Sequence, residues 1–192
     1  MHRTTWVEFN RKALRHNAAA VRRLAPSAAI LAMVKANGYG HGADWVAKQL
    51  DDMVDGFAVA RFCEALNLRR SQAKKRILLL GTELNGEQLQ ECARHHLDIV
   101  IHNIDTAKVL ANTSLAVPIT VWLKMNTGMN RLGMSASEFA QAHKLLAPKS
   151  TIAAIHHMTH FSDAETANHS TTALQYQRLA SLSHSLGDVP IS

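Results

Sequence analysis

The segment Lys35-Ala36-Asn37-Gly38-Tyr39-Gly40-His41-Gly42 places a lysine directly after an apolar run and ahead of three glycines within five positions. A lysine at the end of a parallel strand in a β/α barrel points into the mouth. There a low dielectric lowers its pKa and leaves the amine free to attack a carbonyl. That is the setting a Schiff-base lysine needs. The glycines let the backbone turn sharply and approach a ligand, although they match neither the Walker nor the dinucleotide-binding pattern. Taken alone, the same residues also fit a solvated lysine before a glycine-rich loop. A second cluster, His156, His157 and His160, suggests a metal, but no carboxylate or further histidine pair completes a ligand set, so no metal site is expected.

The elements that position these residues follow a regular alternation. Apolar runs rich in Ile, Val, Leu and Ala predict strands over Ala28–Val34, Asp55–Ala60, Arg76–Leu80, Leu97–His102, Val117–Lys124 and Thr151–His157. Between them, amphipathic spacing predicts helices over Arg11–Leu24, Ala43–Leu50, Arg61–Arg70, Gly86–Arg94, Ile104–Asn112, Ser135–Leu146 and Thr166–Leu186. Asn10 reads as a helix start, and Ser135 with Glu138 as an N-cap pattern. Near-continuous apolar strands alternating with such helices mean a parallel sheet covered by helices, either open and doubly wound or closed into a β/α (TIM-like) barrel. Six strand-helix units and a seventh strand opening at Asp188–Ser192 favour an α/β barrel that is incomplete, since eight units take ~250 residues. The expectation is therefore a truncated barrel domain over residues 1–192, with no linker and no second domain.

Composition narrows the function. With 192 residues, 47% hydrophobic and 19% charged, the chain is globular. The longest apolar run, Ala28 to Val34, is far short of the ~20 residues that cross a bilayer, and the N-terminus carries no secretory pattern, so a cytoplasmic address without membrane contact is expected. Cys63 and Cys92 read as small apolar residues. The net charge of +6 comes from short clusters, Arg22-Arg23, Arg69-Arg70 and Lys74-Lys75-Arg76. Without interleaved aromatics they read as solvated helix faces, and no nucleic-acid partner is expected.

Lys35 to Gly42, Lys124-Met125-Asn126-Thr127-Gly128-Met129-Asn130-Arg131-Leu132-Gly133 and Met158-Thr159-His160-Phe161 together resemble the bacterial alanine racemases, with His102-Asn103 also in keeping. The resemblance runs from Thr5 to the end of the chain. It implies an N-terminal β/α barrel that binds pyridoxal 5′-phosphate (PLP), a C-terminal β domain absent from this chain, and a homodimer. Lys35 then matches the lysine that holds PLP covalently and serves as one of two catalytic bases. Tyr39 matches a ligand of the cofactor phosphate. Arg131 matches the arginine that meets the cofactor's phenolic oxygen and the substrate carboxylate, acceptors that suit its planar fork. Lys124 resembles the lysine that is carbamylated in several relatives and holds that arginine. His160 resembles the histidine behind the arginine that faces the pyridine nitrogen. The implied reaction interconverts L-alanine and D-alanine for the peptidoglycan of the cell wall.

Two departures stand out. Gly38 replaces the alanine of many relatives, which is expected only to loosen the loop. Asn126 replaces a common aspartate, which removes a negative charge near Arg131 and bears on the carbamylated-lysine arrangement. The resemblance places the second base, a partner-subunit tyrosine, and the remaining phosphate groups past residue 192, so the fragment alone is expected to be poorly active. A single-barrel PLP-binding homeostasis protein, a racemase of broader amino-acid specificity and a decarboxylase on the same barrel remain competing readings, and the Lys124–Gly133 segment favours the racemase.

Overall fold

The computed structural model describes residues 7–71, 74–81, 84–166, 170–187 and 189–192. The chain forms two compact units, one up to Leu78 and one from Leu79. The first contains α1 (Arg11–Leu24), β1 (Leu31–Met33), α2 (Lys35–Tyr39), α3 (Ala43–Leu50), β2 (Gly56–Val59), α4 (Phe62–Arg70) and nearly all of β3 (Arg76–Leu79). The second contains α5 (Gly86–Arg94), β4 (Asp98–Ile101), α6 (Ile104–Ala111), β5 (Ile119–Lys124), α7 (Ala136–Leu146), β6 (Ile152–Met158) and α8 (Ser170–Leu186). The expected class is met: six strands alternate with helices, neighbours in chain order, as in an incomplete β/α barrel.

In the first unit β1 and β2 pair in parallel, Ala32 opposite Phe57. β1 is shorter than its apolar run because polar groups claim the residues before it. The Asp55 carboxylate accepts from the Ile30 N–H, and Arg22 donates to the Ala28 carbonyl and to Asp55. These bonds also correct the view of the basic clusters as merely solvated faces. Arg69 donates to the Lys75 carbonyl and the Lys75 ammonium to that of Val54, so the clusters tie elements together. β2 is buried at every position, as a parallel strand covered on both faces should be. At Gly56 an added Cβ would lie 2.7 Å from the Arg76 carbonyl oxygen, so glycine allows the close approach of β3.

In the second unit β5 pairs in parallel with β4 and β6, with α7 against β5 and α8 against β6. Val121, Leu123, Ile99 and Ile101 alternate toward the helices, and Phe139, Ala142 and Leu146 of α7 are fully buried. α1 and α7 begin at the expected caps. The Asn10 side chain accepts from the Ala13 N–H, and Ser135 and Glu138 form a reciprocal capping box. That box holds the Glu138 carboxyl below its ordinary pKa, first through the Ser135 hydroxyl and then through the Ser135 N–H. The expected seventh strand does begin. The His157 N–H donates to the Pro190 carbonyl, the Ser192 N–H to that of His157 and the Thr159 N–H to that of Ser192, which covers the C-terminal part of the β6 edge. The described part of the last helix is Ser170–Leu186; Thr166 is not helical, and residues 167–169 of the expected span lie outside the described residues. Cys92 is buried as an apolar residue, with its thiol pushed up to about 12 by burial, whereas Cys63 is exposed.

Candidate active site

Lys35 opens α2 directly after β1, and the turn it opens was not expected. Ala36, Asn37, Gly38 and Tyr39 have φ of +51°, +54°, +64° and +53°, a left-handed helical turn. Such a conformation costs about 1–2 kcal/mol for each ordinary residue, so other groups must hold it. The Glu64 carboxylate is one: it accepts from the Ala36 N–H at 2.7 Å and from the Ala60 and Arg61 N–H groups at 3.0 Å. One side chain of α4 thus ties the loop after β1 to the loop after β2. Asn37 is another, its side-chain oxygen accepting from the Ala43 N–H and its carbonyl from the Gly42 N–H. Gly38 does not simply loosen the loop. It is buried, and an added Cβ would stand 3.2 Å from the Val46 side chain and 3.3 Å from the Ala43 nitrogen. Lys35 is half-buried, and its Nζ lies 6.0 Å from the ring centroid of Tyr39, which is 60% exposed and so does not pack down over the loop.

The remaining candidates gather in the second unit. Lys124 ends β5 at 9% exposure, which excludes a strand lysine paired at the surface. After it the chain makes a closed excursion. The Met134 N–H donates to the Lys124 carbonyl and the Asn126 N–H to that of Met134, both at 2.9 Å. Arg131 is exposed on that excursion. Gly133 permits the return: at φ +131°, an added Cβ would fall 2.7 Å from the Asn126 nitrogen. Asn126 shapes the loop from within. Its Oδ1 accepts from the Gly128 and Asn130 N–H groups, and its Nδ2 donates to the Asn130 side chain. The residue that replaces a common aspartate therefore has a structural use beyond its missing charge.

His160 is exposed on the loop after β6, and two buried hydroxyls connect that loop to the Arg131 loop. Thr159 Oγ1 donates to the Met125 carbonyl at 3.0 Å, so in the 2.7 Å contact between Thr127 and Thr159 the Thr127 hydroxyl is the donor. Thus Lys35 and Tyr39 share one turn in the first unit, while in the second Lys124 ends β5 and Arg131 and His160 lie on two joined loops. Each stands at or just past the C-terminal end of a strand, the end that carries function in β/α folds. Glu64, Thr127 and the α8 residues described below were not read from the sequence, because a side-chain bond to a distant loop leaves no periodic signal. Of the histidines, His143 and His157 are buried structural residues; His143 Nδ1 lies 2.9 Å from His157 Nε2 and His157 Nδ1 lies 2.8 Å from Ser183 Oγ. Asn103 caps α6 through the Thr106 N–H. Among the described residues, no group of three His, Cys, Asp or Glu is placed to hold a metal.

Comparison with known proteins supplies the family. The chain is 42% identical over 183 residues to the alanine racemase of Shewanella denitrificans, covering 93% of this chain and 50% of that one. It is 40% identical over 187 residues to that of Coxiella burnetii, covering 97% and 51%. Among solved structures, the biosynthetic alanine racemase of Pseudomonas aeruginosa superposes with a TM-score of 0.83 at 35% identity, covering 89% of this chain and 48% of that one. The alanine racemase of Clostridium difficile 630 gives 0.88 at 28% identity, covering 100% and 55%. The chain spans about half the length of the curated relatives it matches. Residues 9–191 match the family described as alanine racemase, N-terminal domain, and the chain belongs to that family.

Proposed function

We propose that this chain is the cofactor-binding barrel portion of a PLP-dependent alanine racemase that interconverts L- and D-alanine. The observation that carries the reading is the lysine at the C-terminal end of β1, held on a left-handed turn with a phenol four residues on. The donor set fits PLP: a half-buried primary amine suits its aldehyde, and the exposed Tyr39 hydroxyl suits its phosphate. When bound, PLP withdraws electrons from the α-carbon of the substrate, so that the α-proton can leave and return.

The chain's own residues supply binding and proton transfer. The Lys35 amine takes or returns the α-proton on one face, as a base within reach of it must. Arg131 offers its fork to the substrate carboxylate and the cofactor's phenolic oxygen. Lys124, buried at the root of the same loop, holds the arginine, with or without carbamylation, and His160 supports the pyridine side. The remaining phosphate ligands and the second base belong to the rest of the protein and to a partner subunit in a homodimer. On this reading residues 1–192 belong to a barrel domain, and the protein acts in D-alanine supply for peptidoglycan in the cytoplasm. No helix among the described residues is long and apolar enough to cross a membrane. Borohydride reduction of the PLP-loaded protein, followed by peptide mapping, should label Lys35. A label on another lysine, or none, refutes the assignment.

A further inference from the structure

We propose that Gln175 and Arg178 of α8 form a clamp that positions the Arg131 and His160 loops for substrate capture, which makes Gln175 a positioning residue of the site. The inference rests on reading Arg131 as the ligand of the substrate carboxylate. Gln175 is 2% exposed. A buried primary amide is costly unless paired, and a leucine would pack the same helix without that cost. Both ends of the amide are aimed at the loop that follows β6. Oε1 accepts from the Ser162 N–H at 3.0 Å, and Nε2 donates to the Ser162 hydroxyl at 2.9 Å. Ser162 lies two residues past His160.

The next residue on the same helix face serves the other loop. Arg178, three positions on, donates to the Thr127 carbonyl at 2.7 Å. Gly128 then rests against the clamp itself: a Cβ there would come 2.8 Å from Gln175 Nε2 and 3.5 Å from Arg178 Nη1. Glycine at 128 is therefore what lets the Arg131 loop sit on the amide. With the hydroxyl pair between Thr127 and Thr159, the two loops are fastened to each other and both to α8. Arg131, three residues beyond Gly128, is exposed, so the path of this backbone sets where its guanidinium stands.

The test uses the full-length protein loaded with PLP and compares Gln175→Leu, Gln175→Glu, Leu179→Ala and Arg131→Ala. A glutamate can accept both the Ser162 N–H and its hydroxyl proton, whereas leucine keeps the volume and loses both bonds. Leu179, buried on the same helix, controls for loss of packing alone. Gln175→Leu should raise KM for alanine at least fivefold and speed amide exchange at Ser162 and across the Arg131 loop at least tenfold. Gln175→Glu should hold KM within twofold of the parent, and Leu179→Ala should not move KM at a comparable loss of Tm. Gln175→Ala replaces the leucine variant should that one not fold. If Arg131→Ala raises KM but Gln175→Leu does not, or if Leu179→Ala raises it equally, the clamp is overturned and the site stands. If Arg131→Ala leaves KM unchanged, the reading of the site fails, and the positioning role with it.

Discussion

Acid should weaken this fold well before its carboxylates protonate, through one buried histidine. His157 is fully buried between His143 of α7 and Ser183 of α8, with the Phe139 ring edge-on at 4.7 Å. Burial, then the neighbouring His143 and His156, push its pKa down to about 4 from the ordinary 6.5. A base whose folded pKa is depressed binds protons more readily when unfolded. Its contribution is therefore intact above about pH 6.5 and is lost as the pH falls toward 4. A displacement of this size corresponds to about 3 kcal/mol in full, of which about 2 kcal/mol should be gone at pH 5. His143, also lowered by burial, adds in the same direction. The acidic groups do not confuse the window. Asp52, held at about 2 by its hydrogen bond to Arg15, and Asp55, lowered first by the Ile30 N–H and then by Arg22, lose their contributions only near and below pH 4. Urea unfolding at pH 8 and pH 5 measures the loss, and His157→Gln removes the titrating group. The variant should be less stable at pH 8 yet lose about 2 kcal/mol less on acidification than the parent. An equal loss in both proteins would refute the argument.

Two loop substitutions give further expectations. Gly133→Ala forces a side chain against the Asn126 nitrogen at a φ that disfavours it; it should cost more than about 2 kcal/mol in urea unfolding and open the Arg131 loop to trypsin. Asn126→Ala should cost about 1–2 kcal/mol through its lost loop bonds. Asn126→Asp should stay within about 1 kcal/mol of the parent, because the Asn130 amide can rotate and donate to the new carboxylate.

The strand and helix alternation was legible because apolar runs and helical spacing report burial directly. α1, α3 and α5 have the expected bounds, and β3 and β4 differ from theirs by a residue at one or both ends. The left-handed turn at Lys35 was not legible. Its glycines signalled a turn, but Ala36, Asn37 and Tyr39 adopt positive φ only because Glu64 and Asn37 bond their surroundings, and no local propensity encodes that. β1 fell short of its apolar run for a similar reason, since Asp55 and Arg22 draw Ala28 and Ile30 into side-chain bonds. Lys35 stood out by its place after an apolar run, and Tyr39, Lys124, Arg131 and His160 were candidates through the family resemblance, yet neither route could reveal that Lys124 is buried while Tyr39 and Arg131 are exposed.

The two units solve the same problem in the same way. A loop at the C-terminal end of a strand must be open to a ligand, and an open loop has few apolar contacts to fix it. In the first unit a carboxylate on α4 gathers three backbone N–H groups from the loops after β1 and β2. In the second, an amide and a guanidinium on α8 hold the loops after β5 and β6. In each case the fastening group stands on a helix packed against a neighbouring strand, α4 on β2 and α8 on β6. Its position is therefore set by the apolar packing of the helix and not by the loop. The loops can then vary in sequence while their backbone stays in place, provided that glycine is kept where the fastening group or the returning chain comes closest, at Gly128 and Gly133. Loss of a fastening group on α8 should thus reach the Arg131 loop from outside it, whereas exposed positions on the same helix, such as Gln177, should leave that loop unchanged.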